Sequence, residues 1–551
     1  MKKRKSVLAA RLVCVMVASM VSMGIAASAP RQPHEPQPRP RLVVGIFVKG
    51  LSADYVELLR SNSGPDGFNR LISDGLSIEN VDYGPGIDHT AATAILVSGA
   101  APGVNGVPSG RVWNPSTRTE IPSLLAPEKA GSYTDRDLTP SRLLVSTLSD
   151  ELRISDGGLG TVHAIAPDPQ TAVILAGHAG NSAFWISDEN GRWTSASHFR
   201  ETPAAIARRN TGLTLDSRLD TMAWEPSLKL DRYPDLPGYK KLYPFRHTFP
   251  RRDRNRYAAF LSSAMANREV AAAAVDLIKT SQLGQRPVTD MVSLGFDLSP
   301  YLYGREADNR IETMDAYVRL DREIAHIMQA VDSGPGMNRT LFFIAGTPAP
   351  SGARRDEERW SIPSGRFSPR KAVGLLNVYL MALHGNGQWV NGYHNGFFHL
   401  NRTLIKDHGL DEADFRRECA DFLSRMAGVS EVFTIDDIRA RRAGDNAAAL
   451  ERNIYAPAAG DLLVTVNPGW EVTDIDPDEE PSISADEAAA AASQLPVVRW
   501  QATTSPVYIM GPSVEPATLS ATVDARAIAP TVARILRIRS PNGAKIPPVR
   551  L

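Results

Sequence analysis

Several residues have types and positions that could do chemistry. Lys49, Asp297, Gly346 and Thr347 each stand directly behind a short apolar run, Leu42–Val48, Met291–Phe296 or Leu341–Ala345. Lys49 offers a positive charge for a phosphate-type anion, and Asp297 a hard carboxylate for a metal ion. Asp88, His89 and Thr90 are consecutive and combine a carboxylate, an imidazole and a hydroxyl, an acid/base or ligand set if all three face one point. Adjacent residues rarely share a direction, so a remodelled loop is the competing reading. His394 and His399 are five apart and are read as structural, as is His178, while His326 is expected to face solvent. Two arginine-rich stretches, 246–256 and 354–359, could hold an anion but interleave acids, which favours a solvated surface. The acidic segment Asp474–Glu480 lacks the glycine-containing spacing of a calcium loop, and no G-x-S-x-G nucleophile elbow occurs.

The elements that must carry these residues can be read from the apolar pattern. Runs at Leu42–Val48, Val173–Ala176, Met291–Phe296, Leu341–Ala345, Leu462–Val466 and Val507–Met510 read as strands buried on both faces. Tyr317, Leu320, Ile324, Ile327 and Val331 follow helical spacing, and Ile528–Leu536 reads as a helix with Pro530 in its first turn. The alternation predicts an α/β layered fold with a mostly parallel central sheet between helices. Ligands then lie at the carboxyl ends of the strands, where Lys49, Asp297, Gly346 and Thr347 fall. Less regular stretches, about 185–265 and 350–455, are expected to form cap insertions on a domain spanning 41–541, with 542–551 as a tail.

The 551 residues, 43% hydrophobic and 22% charged, are enough for a large core, and 61 Lys+Arg against 61 Asp+Glu exclude a dedicated nucleic-acid binder. Met1-Lys-Lys-Arg-Lys5, an apolar run to Ala27 and the small-residue exit Ala27-Ser28-Ala29 predict a secretory signal peptide over 1–29. A Pro-rich tether occupies 30–40. Cleavage would leave an excess of five acids, no membrane anchor, and Cys419 without Cys14, in the periplasm or outside the cell. Cys419 falls with Phe415, Phe422, Leu423 and Met426 on one helical face and reads as a buried hydrophobe.

Further segments carry a resemblance. Arg41-Leu-Val-Val-Gly-Ile, Ser98-Gly-Ala-Ala-Pro-Gly-Val-Asn-Gly106, Ala176-Gly-His178, Met314-Asp-Ala-Tyr-Val-Arg-Leu-Asp321, Gly396-Phe-Phe-His-Leu-Asn-Arg402 and Pro468-Gly-Trp470 occur in the order and spacing of a known group. The chain resembles the alkaline phosphatase superfamily, in particular its periplasmic threonine-nucleophile branch and the type I phosphodiesterase/nucleotide pyrophosphatase proteins. The resemblance implies that superfamily's α/β core and two zinc ions clamping the attacking and leaving oxygens of phosphoryl transfer.

Residue by residue, the implied site is largely missing. The first ligand, an Asp after the first strand, is Lys49, while the Asp54-Tyr55 pair matches a separate family position. The nucleophile position falls on His89, or on Thr90 after a one-residue slip. Asp297 matches a ligand, but Tyr301 stands where its partner His belongs. The D-H-G segment is Gly346-Thr347-Pro348, and the last ligand His has no counterpart, since His408 is the final histidine. The transition-state Lys and Arg correspond to Asp168 and Gln170, and a phosphoryl-binding Asn to Gly110 or Arg111. These departures lead to the expectation of a non-catalytic, exported protein that uses Lys49 for an anion. The alternative is a hydrolase of phosphate monoesters or diesters with a rearranged site around Asp88, His89, Thr90 and Asp297, using zinc.

Overall fold

Leu42–Lys49 (β1) is apolar to its last residue because it lies between two parallel strands, Asp290–Asp297 (β6) and Thr340–Thr347 (β7), with both faces covered. The computed structural model describes residues 39–550 apart from 130–136, 235, 237, 243, 302, 305–308, 350–360, 362–364, 445–446, 468 and 475–503. The expected signal peptide, Cys14, the arginines at 354–359 and nearly all of Asp474–Glu480 therefore lie outside the described residues.

The remaining strands of the central sheet are Leu76–Asp82 (β2), Val162–Ile165 (β3), Ser182–Ile186 (β4), Trp193–Thr194 (β5), Thr504–Met510 (β8), Ala517–Leu519 (β9) and Val523–Asp524 (β10). Their order is β9-β2-β8-β7-β1-β6-β3-β4-β5, with β10 also paired to β2. The stretch β7-β1-β6-β3-β4 is parallel, whereas β8 runs antiparallel to both β7 and β2. The result is the expected α/β architecture with a mostly parallel sheet. The register brings the strand ends level: Lys49 is paired with both Asp297 and Thr347, so three strands present their last residues side by side.

Helices cover both faces. His89–Ser98 (α1), Pro169–Ala176 (α2) and Ile528–Leu536 (α5) contribute to one apolar core, and Ala264–Thr280 (α3) and Arg310–Asp332 (α4) to the other. The run Val173–Ala176, expected as a strand, is the last turn of α2. Asp168 caps that helix through the Thr171 amide and Pro169 occupies its first position. Burial on every side leaves α2 without the polar stripe that marks a surface helix, so its apolar run looks like a central strand.

Of the two expected insertions, 185–265 opens on strands β4 and β5 and buries Trp224, Tyr233, Phe249 and Phe260 in the core that holds α3 and α4. Asp315 of α4 ties it down. Its fully buried carboxylate accepts from Trp224 Nε1 at 2.7 Å, the Ser227 amide at 2.7 Å, Tyr233 Oη at 2.7 Å and Arg319 Nε at 2.6 Å. The second insertion builds its own core around Phe367, Trp389, Phe398, Phe415 and Cys419, next to a four-stranded sheet. Leu462–Val466 pairs antiparallel in that sheet rather than in the central one. Cys419 is fully buried, with Phe415 and Leu423 beside it on the same helix.

Candidate functional site

The strand ends place Lys49 against Asp297, Nζ to Oδ2 at 3.3 Å, with 26% and 22% of the two side chains exposed. Burial pushes the ammonium toward neutrality, but Asp297, and beyond it Asp168 and Asp88, outweigh burial and hold its pKa above the usual lysine value. Burial likewise opposes ionisation of Asp297, and Lys49 together with the Ser299 amide overcomes it, holding that carboxyl below its ordinary value. Asp297 is thus the carboxylate in contact with the ammonium, and Asp168 and Asp88 act on it from farther away. A double-mutant cycle over Lys49→Met and Asp297→Asn should show coupling: each single change costs about 1–3 kcal/mol in urea unfolding, and the pair costs less than the sum.

His89 opens α1 and points between two threonines. Its Nδ1 lies 2.6 Å from Thr347 Oγ1 and its Nε2 2.8 Å from Thr171 Oγ1. The Thr171 hydroxyl in turn donates to Asp168 Oδ2 at 2.6 Å, and the Thr171 amide to the same oxygen at 2.7 Å. A hydroxyl has one proton, so Thr171 accepts from His89 Nε2–H and the remaining ring nitrogen accepts from Thr347. The hydrogen bonds run in one direction, from Thr347 through His89 and Thr171 to Asp168. Burial, with the Lys49 charge in support, lowers the His89 pKa from 6.5 to about 4, so the ring is neutral near pH 7.

Asp88 and Thr90 do not join His89. Asp88 caps α1, with Oδ1 accepting from the Ala91 amide at 2.9 Å and Oδ2 from the Gly110 amide at 2.7 Å. Burial raises its pKa, and those two amides offset this only in part. Thr90 is buried under Gly110, where an added Cβ would stand 3.0 Å from its hydroxyl oxygen. Gln170 closes the patch by donating to the Gly110 carbonyl at 2.6 Å and accepting from the Leu124 amide at 3.1 Å.

The other family positions are filled by packing. Tyr301 is buried against His247 and Trp224, with ring centroids 4.5 and 5.2 Å away. Gly346 lies under Tyr83, whose hydroxyl donates to its carbonyl at 2.5 Å. A Cβ at Gly346 would come within 2.9 Å of Ser505 Cβ and 3.0 Å of the Leu51 carbonyl oxygen. An aspartate there has no room.

These groups do not fit the two zinc ions that the resemblance implies. The Asp297 carboxylate meets an ammonium, both His89 nitrogens are engaged by hydroxyls, and Asp88 and Asp168 are committed to helix N-termini. Among the described residues, no three His, Cys, Asp or Glu side chains gather into a group able to hold a metal ion.

The other histidines singled out in the sequence have partners of their own. His178 bridges Asp150 Oδ2 at 2.9 Å and the Leu143 carbonyl at 3.0 Å, and His326 is half exposed near Glu323. His394 faces Glu120 Oε1 and the Arg111 carbonyl, each at 2.8 Å, and His399 stacks on Trp113 at 5.0 Å. Arg246, Arg251 and Arg256 pair with Glu225, Asp216 and Asp220. Sequence reasoning missed Thr171 and Thr347 as the partners of His89. Asp168-Pro-Gln-Thr171, a helix-start pattern with an acid at the cap and proline next, was the available signal for the first.

The family model of type I phosphodiesterase/nucleotide pyrophosphatase matches residues 43–487. Alkaline phosphatase PhoV of Synechococcus elongatus is 23% identical over 97% of this chain and 98% of its own length. A protein of Myroides odoratus described as a calcium-transporting ATPase is 27% identical over 92% of this chain and 93% of its own. The crystal structure of wild-type alkaline phosphatase PafA superposes with a TM-score of 0.78 at 21% identity, covering 93% of this chain and 98% of that one. The chain belongs to the type I phosphodiesterase/nucleotide pyrophosphatase family, within the alkaline phosphatase superfamily.

Proposed function

We propose that this chain is an exported, non-catalytic member of its family, in which an internal ion pair and a closed hydrogen-bond chain take the place of a two-metal centre. The Lys49–Asp297 pair carries the reading: the one carboxylate that matches a family ligand is neutralised by an ammonium on the neighbouring strand. The pairing also argues against a phosphate-type anion there, because the Lys49 ammonium already has its counter-charge in Asp297. The N-terminal signal pattern supports export, and no helix of the described residues is long and apolar enough to cross a membrane.

A second reading rests on the hydrogen-bond direction. A chain that ends on the Thr347 hydroxyl resembles the wiring of an activated nucleophile, with His89 as base and Thr171 and Asp168 orienting it. Thr347 is fully buried, which weighs against it.

One experiment separates the two. Purified mature protein is expected to carry less than one zinc per chain by elemental analysis and to leave an aryl phosphate unhydrolysed above background. Stoichiometric zinc with turnover abolished by Asp297→Ala overturns the proposal. Metal-independent turnover lost in His89→Gln and Thr347→Val establishes the second reading instead.

A further inference from the structure

The charges of this chain are segregated. All 61 Asp and Glu precede residue 525, and six Lys and Arg follow it. Of the six, Arg534, Arg537, Arg539, Lys545 and Arg550 are exposed, while Arg526 is half-buried against Asp524. An asymmetry of this kind is the electrostatic footprint of an anionic partner.

The basic segment is fixed on the body. The Val549 amide donates to Thr531 Oγ1 at 2.8 Å and its carbonyl accepts from Arg534 at 2.5 Å, which sets Arg550 beside α5. Asn542 and Ser146 exchange two hydrogen bonds of 2.9 Å. A Cβ at Gly543 would stand 2.8 Å from Val145 Cγ1, and one at Gly99 2.8 Å from Ala544 Cβ, so the segment closes over the end of α1 that lies away from His89. The stretches that meet there, 89–119, 138–149 and 525–551, contain no acid. Glu151 and Asp150, next along the chain, are buried and held by Arg539 and His178. Glu451, on the helix behind Pro102–Asn105, is held by Arg441. Two apolar side chains project from the same face. Leu144 is 56% and Val104 44% exposed, and the Leu144 amide, bonded to the Asn105 carbonyl at 3.0 Å, keeps them together.

We propose that this face docks reversibly on an anionic phospholipid surface, with headgroup phosphates against the cations and Leu144 and Val104 entering the acyl boundary. Nucleic acid fits less well: 99–106, 138–149 and 525–551 hold no aromatic side chain on which a base could stack, and the exposed leucine and valine would gain nothing from a phosphate backbone. No residue of the Lys49 and His89 site takes part.

Vesicles of phosphatidylglycerol mixed with phosphatidylcholine, compared with phosphatidylcholine alone, are the probes, read by co-sedimentation of the mature protein, which lacks the apolar signal run. The mixed vesicles are expected to bind it, and raising the ionic strength from about 0.05 to about 0.5 M should release it. Lys545→Gln with Arg550→Gln should weaken binding about twentyfold. Leu144→Ser should weaken it about fivefold and leave the salt dependence unchanged. All three side chains are exposed, so urea midpoints should stay at the wild-type value. Absence of binding, equal binding to phosphatidylcholine alone, or binding that the variants leave unchanged overturns the proposal. Retention by duplex DNA with no effect of Leu144→Ser marks a general polyanion surface and overturns the lipid assignment. Should a variant fail to fold, the lipid comparison and the salt dependence of the wild-type chain still decide.

Discussion

Between pH 7 and pH 4 the protein is expected to lose about 3 kcal/mol of unfolding free energy through His89 alone. The folded ring, buried beside Lys49, takes a proton only near pH 4, while the unfolded chain takes it near 6.5. Below 6.5 the unfolded state therefore binds more protons, so stability falls as pH drops and levels off beneath 4. The cost has a visible form: protonated His89 must turn Nδ1 into a donor, and Thr347 Oγ1 must give up donating to it. Urea midpoints across this range should show the loss, and His89→Gln should flatten it by about 3 kcal/mol whatever its own stability at pH 7. Equal slopes in the two proteins would contradict the placement of the ring. His399, whose pKa burial and the nearby His394 and Arg402 lower to about 3, adds acid sensitivity of the same sign in both.

Asp315→Ala is expected to destabilise the protein by about 3–5 kcal/mol, because it strips four donors of one buried acceptor. Trp224 and Tyr233 are almost wholly buried, so their freed N–H and O–H groups gain no water in exchange. The Arg319 guanidinium loses its counter-ion but keeps the Glu225 carbonyl at 2.7 Å. The damage should be local: amide exchange in 222–233 and around 245–249 should accelerate before that of β1 or β6, where no contact changes. A melting temperature within a degree of wild type would refute this anchoring role.

The strand ends were legible because parallel strands buried on both faces appear as unbroken apolar runs, and their last residues mark the sheet edge. Lys49 and Asp297 were identified that way and meet as neighbours. Val173–Ala176 was misread because a helix with no solvent face loses its period. The His89 network was out of reach for another reason. Thr171 and Thr347 are 82 and 258 residues from His89, and only the approach of α1 to the ends of β7 and α2 brings them to its ring. Hydroxyls also carry no sequence pattern of their own, whereas a missing ligand is visible once a resemblance supplies the place to look. Tyr301 shows both sides: its departure from histidine was evident, but its fit among Trp224 and His247 needed the second half of the aromatic cluster, which is far away in sequence.

Gly346 makes the present arrangement self-locking. Replacing Lys49 by aspartate changes only a side chain, but an aspartate at 346 must first push aside the Leu51 carbonyl and Ser505, parts of a loop and of β8. The backbone has closed over the ligand position. An engineer grafting a metal centre onto this scaffold would find that point substitutions, taken one at a time, pass through unstable proteins. Moving β8 and the loop after β1 outward comes first, and the side chains come second.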